Sequence, residues 1–287
     1  MPTDLSQFVS LDIPAVEQAY TQRDASLYAL SLGFGHDPTD ERALRYIYEK
    51  DQHAFPTMAL TLGTTPLSRL VPQLDHSRTV HYEQSLAMVG RLPPSGQVVT
   101  HTRIADVFDR GEGRGALIDV ERRIADAATG ETIATAVMTA LCRADGGFGG
   151  RPRAASPGGW TEPSREADAT VEYRSSPDQA LLYRLNGDMN PIHIDPAAAA
   201  KAGFERPLLH GLATFGMVAR AVVETMLDGD EERLATIGGR FKGPFLPGET
   251  LRVMIWRAGD RLLLRAISVE RSAIVFDNGT ATGRAAR

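Results

Sequence analysis

The stretch "YRLNGDMNPIHIDP", residues 183 to 196, sets Asp188, Asn190 and His193 close together on a backbone that cannot continue as a regular helix. Gly187 and Pro191 bracket the acid and the amide. A loop built around them can aim Asp188 and His193 at one point, although the two share no helix face. A carboxylate and an imidazole that meet on one small molecule can remove a proton and deliver another, each transfer being worth about 10²–10⁴ in rate. Taken alone, the same residues equally fit a turn capped by Asp188, with His193 an incidental polar side chain. A second component lies downstream in "LLHGLATFG", where Gly211 stands at the point at which a loop enters an apolar helix. Its N–H has no partner within the helix, the helix dipole adds roughly half a positive charge there, and glycine lets a ligand approach closely. Such a position suits an oxyanion site, where losing one donor costs ~10²–10³ in rate. A glycine serving as N-cap leaves the same trace in a sequence.

The elements that must position these residues occur twice. "LYALSLGFGHDP", with Tyr28, matches "LYRLNGDMNP", with Tyr183, at an offset of 183 − 28 = 155. The same offset sets "FPTMALTLG" from Phe55 against "HGLATFGMV" from His210. With a small drift, "RLPPSGQVV" (91 to 99) resembles "PFLPGETLRV" (244 to 253). Two copies of one unit account for these matches, and at roughly 150 residues per domain a chain of 287 residues accommodates two. In the second copy "ATVEYRSS" alternates as a strand and "PDQALLYRL" has helical spacing. Asp195 and Pro196 read as N-cap and first position of a short helix. Residues 212–227 are apolar on nearly every face, as in a buried helix. Strands are expected over 236–245, 250–258, 261–270 and 272–281. A buried helix followed by an antiparallel meander wrapped around it is a hot-dog architecture; the class is α+β and the chain a double hot-dog.

The copies are not equivalent. At the shared offset the first has Gly33 for Asp188, Pro38 for His193, and Phe55 and Pro56 for His210 and Gly211, a pattern of one active and one decayed half. In "TMALTLGTTPLSRLV", Thr64, Thr65 and Pro66 interrupt the counterpart of the buried helix. A proline inside a helix costs about 3 kcal/mol, so this helix is expected to be short or broken and its sheet partly unfilled. The expected division is an N-terminal hot-dog over 1–145, a Gly/Pro-rich linker over 146–168, and a catalytic hot-dog over 169–287. The linker's "GGFGG" fits close backbone approach to a ligand, and a tight turn more simply.

Composition narrows the function. Hydrophobic residues make up 43% and charged residues 23%, which supports a packed core. The net charge of −5 is spread over interspersed acids and bases, so nucleic acid is not an expected partner. The start, "MPTDLSQFVSLDIP", has neither the basic nor the apolar region of a secretory signal, and no run is long enough to span a bilayer, so no membrane insertion is expected. Cys142 is the single cysteine, which excludes an intrachain disulfide and a thiolate metal cluster. The histidines do not fall at metal-ligand spacings along the chain. The final "RAAR" does not resemble a peroxisomal address, which leaves the cytoplasm as the expected compartment.

"YRLNGDMNPIHID", "LLHGLATFG" and "RFKGPFLPGETL" together resemble the (R)-specific 2-enoyl-CoA hydratases, the hydratase 2 or MaoC-like group of hot-dog enzymes. "LYALSLGFG", "RYIYE" and "FPTMA" resemble the first half of its two-hot-dog form, so the likeness covers essentially the whole chain. It departs at Asn186, where the group commonly has a small residue such as serine, and at Tyr82, where a glycine is usual. The resemblance implies that Asp188 and His193 hold one water, that Asn190 orients the site, and that Gly211 donates its N–H to a thioester oxygen. It further implies that His81, Tyr82, Arg110 and Phe241 contact the acyl-CoA, with Met189, Pro191 and Ile192 lining the substrate beside the pair. Arg114, Arg240 and Lys242 are further candidates for the phosphates of CoA, and a long acyl chain is a candidate for the space left by the broken helix. No cofactor is implied, CoA being part of the substrate. A homodimer or an internally paired monomer would serve.

The implied reaction is the reversible hydration of trans-2-enoyl-CoA to (3R)-3-hydroxyacyl-CoA, a hydro-lyase reaction of fatty-acid or related acyl-CoA metabolism. Two alternatives stand beside it. A hot-dog thioesterase would use a carboxylate on the central helix, where Glu224 is the candidate. A non-catalytic acyl-CoA-binding subunit would have lost the pair, and here Asp188 and His193 are both present.

Overall fold

A computed structural model of the chain describes residues 4–154 and 160–285. The first half runs β1 (Val16–Tyr20), α1 (Gln22–Ser31), α2 (Glu41–Leu44), α3 (Leu67–Leu70), β2 (Thr79–Met88), β3 (Gly96–Asp109), β4 (Ala116–Asp126) and β5 (Thr132–Cys142). The second repeats it as β6 (Ala169–Arg174), α4 (Gln179–Tyr183), α5 (Pro196–Lys201), α6 (Gly211–Met226), β7 (Leu234–Phe241), β8 (Thr250–Ala258), β9 (Arg261–Ser268) and β10 (Ala273–Gly283). The strands expected in the second half are all present, shifted by a few residues at their ends. Together they form one sheet in the order β1-β3-β4-β5-β2-β7-β10-β9-β8-β6. Each half therefore has the same strand order, one reversed against the other. They meet where β2 pairs antiparallel with β7, from Glu83↔Arg240 to Ala87↔Thr236. The chain is a double hot-dog, paired within itself.

α6 is apolar around its circumference because the sheet wraps it: Ala213, Phe215, Val218, Ala219, Ala221 and Val222 are fully buried. Gly216 lets the helix reach the first half, since a Cβ there would lie 2.6 Å from Leu32. The counterpart helix is broken, as its sequence requires. Pro56–Thr61 makes a 3-10 turn, Gly63 takes a positive φ of 59°, and Pro66 caps the short α3. The carbonyls that a continuing helix would have satisfied are taken by side chains of the sheet. Buried Arg122 of β4 donates to Leu60 O at 2.8 Å and Leu62 O at 3.4 Å, and Thr100 Oγ1 donates to Leu62 O. Burial lowers Arg122 to about 10, which leaves it a cation at neutral pH. Part of the space beside this break is filled from the chain itself: Leu5, Leu70, Val71 and Leu74 pack on Ile104, Val107, Ile118 and Val120.

The glycines of "GGFGG" have an internal purpose. The Asp109 carboxylate at the end of β3 accepts the N–H groups of Gly111, Gly147 and Gly149, each at 2.8 Å, and of Gly150 at 3.3 Å. At Gly146 a Cβ would lie 2.4 Å from Gly115 O, so no side chain fits. The tight-turn reading accounts for the motif. Burial alone would raise the Asp109 carboxyl, but the four amides outweigh it and hold it below the usual range. Its contribution to stability is thus present above the unfolded carboxyl's pKa and lost as pH falls through the folded one. Asp109→Ala is expected to cost about 2–4 kcal/mol at pH 7 in urea unfolding; an unchanged midpoint would mean that the loop holds itself.

Candidate active site

The segment 187–195 is a succession of side-chain-capped turns. Gly187 has a positive φ of 116° and ends the turn that follows α4. The Asp188 carboxylate accepts the Asn190 N–H at 3.1 Å, and Asn190 Oδ1 accepts the Ile192 N–H at 3.2 Å as N-cap of the 3-10 turn Pro191–His193. Asp195 caps α5 through the Ala197 N–H. Capping and proximity thus coexist: the turn roles of Asp188 and Asn190 are real, and they are what brings His193 round.

Residues 208–210 lie against this loop. The Leu208 N–H donates to Ile192 O at 3.2 Å, and Leu208 O accepts from His193 Nδ1 at 2.9 Å. A carbonyl can only accept, so Nδ1 carries the hydrogen and His193 Nε2 presents a bare lone pair. The His210 ring donates from Nε2 to the main-chain carbonyl of Asp188 at 3.1 Å and stacks on His193, with centroids 3.6 Å apart and planes at 25°. An oxygen of the Asp188 carboxylate and one ring nitrogen each of His193 and His210 lie within 4.8 Å of one another. Sequence spacing hid that cluster. His193 Nδ1 and His210 Nε2 are already engaged with main-chain carbonyls, which leaves each ring one nitrogen.

The first half closes the site. His81 of β2 meets the Phe241 ring of β7 edge-on at 4.9 Å, and Phe241 lies 3.4 Å from where a Cβ on Gly211 would stand. Gly211 is the first residue of α6, follows the N-cap His210, and has no positive φ. Neither backbone conformation nor a clash with protein atoms demands glycine here. What it does is leave the N–H groups at the helix start uncovered by a side chain of its own. Behind the loop, Asn186 donates to Ser31 Oγ and Tyr183 O, and Gln179 donates to Ser31 O, which ties the loop's base to α1 of the other half. The unusual Asn186 is therefore a packing tie.

Other expected residues are placed less directly. Met189 is 53% exposed at the loop tip, with Pro191 and Ile192 beside it. Tyr82 packs in a separate cluster with Phe108, Leu117 and Leu141, and carries the Arg240 guanidinium on its ring. Arg240 is paired with Glu83. Arg110 is exposed in the turn between β3 and β4, and Lys242 is exposed just after β7. Burial pushes the Cys142 thiol up to about 11, so it is no nucleophile at neutral pH. The residue the sequence reading left out of the site is His210. Its signal was available: it precedes Gly211, and the first copy has Phe55 in its place.

The double hot-dog, with its Asp–His loop against the start of the central helix, defines a class by fold and site together. Matches to known families narrow this class. Residues 160–278 match the MaoC like domain and residues 18–144 the MFE-2 hydratase 2 N-terminal domain. An enoyl-CoA hydratase of Mycobacterium tuberculosis is 38% identical over 97% of this chain and 98% of its own length. The peroxisomal multifunctional enzyme type 2 of Drosophila melanogaster is 38% identical over 89% of the chain, which spans 44% of that larger protein. The crystal structure of a MaoC-like dehydratase from Phytophthora capsici superposes with a TM-score of 0.87 at 28% identity, covering 99% of this chain and 100% of that one. The chain belongs to the hydratase 2, MaoC-like family.

The histidines carry a testable electrostatic signature. Burial lowers His81 to about 4, and burial together with the His193 ring lowers His210 to about 4; burial also lowers His193, against the Leu208 carbonyl and the Asp188 charge. These folded-state values lie below the unfolded 6.5, so the unfolded chain binds more protons between them. Stability is fully present above pH 6.5 and falls as pH drops toward 4. For His81 and His210 together the slope is on the order of 2 kcal/mol per pH unit near pH 5. Urea midpoints measured from pH 7 to 4.5 check this, and a flat profile would contradict it.

Proposed function

We propose that the chain catalyses the reversible hydration of a trans-2-enoyl-CoA to a (3R)-3-hydroxyacyl-CoA in fatty-acid or related acyl-CoA metabolism. The observation that carries this reading is the closeness of the Asp188 carboxylate to the His193 ring, an oxygen of the one lying within 4.8 Å of a nitrogen of the other. Two hydrogen bonds of about 2.8 Å, opened near the tetrahedral angle, span about 4.6 Å. On this reading one water donates one hydrogen to the Asp188 carboxylate and the other to His193 Nε2, leaving an oxygen lone pair for C3. As the C3–O bond forms, the water gives one proton to this pair, and the C2–C3 π electrons move toward the thioester carbonyl. The negative charge that develops on the thioester oxygen is met by the N–H at the start of α6, at Gly211. The pair then returns a proton to C2, so that the elements of water are added and the site ends as it began. Family membership supports the chemistry, and the relatives named enoyl-CoA hydratase and 3-hydroxyacyl-thioester dehydratase Y support both directions of it.

CoA would enter from the side of Arg110, Arg114 and Lys242. Arg240, held by Glu83, would contribute through its stack on Tyr82 rather than as a free cation. A thioesterase reading has less support. Glu224 accepts from Tyr173 Oη and Arg220 Nε, each at 2.6 Å, and stands roughly 20 Å along α6 from Gly211. The internally paired chain contains every residue of the proposed site, so a single copy would suffice. No helix among the described residues is long and apolar enough to cross a membrane, and some relatives are named as peroxisomal.

Loss of the enoyl-thioester absorbance of crotonyl-CoA and trans-2-decenoyl-CoA tests the reading. Wild type is expected to hydrate at least one of them, and Asp188→Asn and His193→Ala each to lose about 10²–10⁴ in kcat. Release of free thiol without hydration would transfer the function to a thioesterase. Gly211→Ala is the sharper variant: its methyl clears Phe241, so the melting temperature should hold, while kcat/KM falls ~10²-fold as access to the helix start narrows.

A further inference from the structure

His210 takes no part in the proton transfers above, yet no side chain of the site is more closely bound to those that do. It is 1% exposed, its Nε2–H holds the Asp188 main-chain carbonyl, and its ring backs His193. Its Nδ1 is buried without a hydrogen-bond partner among the described residues, a condition that packing alone does not reward. The duplicated fold supplies a comparison. Phe55 occupies the same place in the first half, as N-cap of the turn Pro56–Thr61, and packs there against Phe34 and Tyr46. An aromatic hydrocarbon thus suffices for the core at this position. The imidazole adds a donor, and that donor goes to the residue bearing the proposed base.

We propose that His210 is a positioning residue, which fixes the Asp188–His193 pair relative to the start of α6. The proposal rests on the hydratase reading of the same site. Four links join the loop to residues 208–210. Two of them, the Leu208 N–H to Ile192 O and His193 Nδ1 to Leu208 O, hold the His193 end and need no particular side chain at 210. The other two come from His210, and one is its bond to Asp188 O; no other hydrogen bond to that carbonyl is made among the described residues. Asp188 is exposed and its carboxylate is bonded within its own loop. Removing the His210 donor therefore frees the Asp188 end while the His193 end stays anchored. The two acceptors of the shared water would then part. A misplacement of about 1 Å costs on the order of 10² in rate.

His210→Phe and His210→Gln separate the roles. The first copies the other half's residue and keeps an aromatic ring; the second keeps an amide donor. Hydration of crotonyl-CoA by His210→Phe is expected to fall roughly 10–100-fold in kcat with KM within about threefold. His210→Gln is expected to recover most of kcat. Hydrogen exchange read in the absence of substrate, at the Asn190 and Ile192 amides, should quicken at least about tenfold in His210→Phe and less in His210→Gln. Unchanged kcat in His210→Phe, or a loss carried by KM alone, would overturn the proposal. Should the Phe variant fail to fold, His210→Leu, which also lacks a donor, takes its place under the same outcomes, and a hundredfold loss in His210→Gln would overturn the role. If wild type hydrates no enoyl-CoA, the hydratase reading falls by itself, and exchange alone then judges the positioning role: unchanged rates refute it.

Discussion

The Leu209 N–H donates to Phe245 O at 2.8 Å, and the site depends on that main-chain bond. It fastens the segment before α6 to the turn after β7. On one side of it Leu208 holds His193, and on the other His210 holds Asp188 and is followed directly by Gly211. The proposed proton-transfer pair and oxyanion donor are therefore set by neighbouring residues of one short segment, with consecutive Cα atoms about 3.8 Å apart. Loops usually drift in proportion to their length, and this loop is long. Stitching it to the residues that open the buried helix removes the drift where sub-ångström placement matters.

The duplication explains what the other half is for. Its own helix breaks at Gly63 and Pro66, and Arg122 and Thr100 take up the carbonyls left behind. That half cannot present a helix start of the same kind, and it has Phe55 and Pro56 where a histidine and a glycine would be needed. It contributes a wall instead. His81 reaches Phe241 across the β2–β7 junction, and Ser31 receives the ties from Asn186 and Gln179. The Tyr28 hydroxyl bonds Thr57 in the broken half, with the Tyr183 ring 6.1 Å away. The residues that match best between the copies thus lie where the halves meet.

Most of the fold was legible because its signals are local. Alternation marks β6 and β8, Asp195 and Pro196 mark the start of α5, and the all-round apolar run marks α6. The 155-residue offset even aligned the two N-caps, Phe55 and His210. The site was legible as a set of candidates, but the partner of each was not. Alternation along β2 separates Tyr82 from its neighbour His81, but nothing in the spacing shows that one packs with Phe108 and the other faces Phe241. Nor does it show that Arg240 is claimed by Glu83, a pairing set by register across the junction of the two halves. His210 escaped for the same reason. Its function is a contact with a loop more than a dozen residues away, and a lone histidine beside a glycine does not announce one.

Burial and one carbonyl together decide the chemical state of the site. Burial keeps His81 and His210 neutral at pH 7 and lowers His193 as well, so the face of His193 that the proposed reaction uses is a lone pair rather than a second N–H. Leu208 O then selects which nitrogen bears that lone pair. A cation there would repel the proton it is meant to accept, and the other tautomer would offer a donor where an acceptor is needed. Asp188, exposed to water, stands on the open side of the buried rings. The fold thus divides the work of the proposed reaction: one acceptor on the open side, a neutral acceptor on the buried side, and the reacting water held between them.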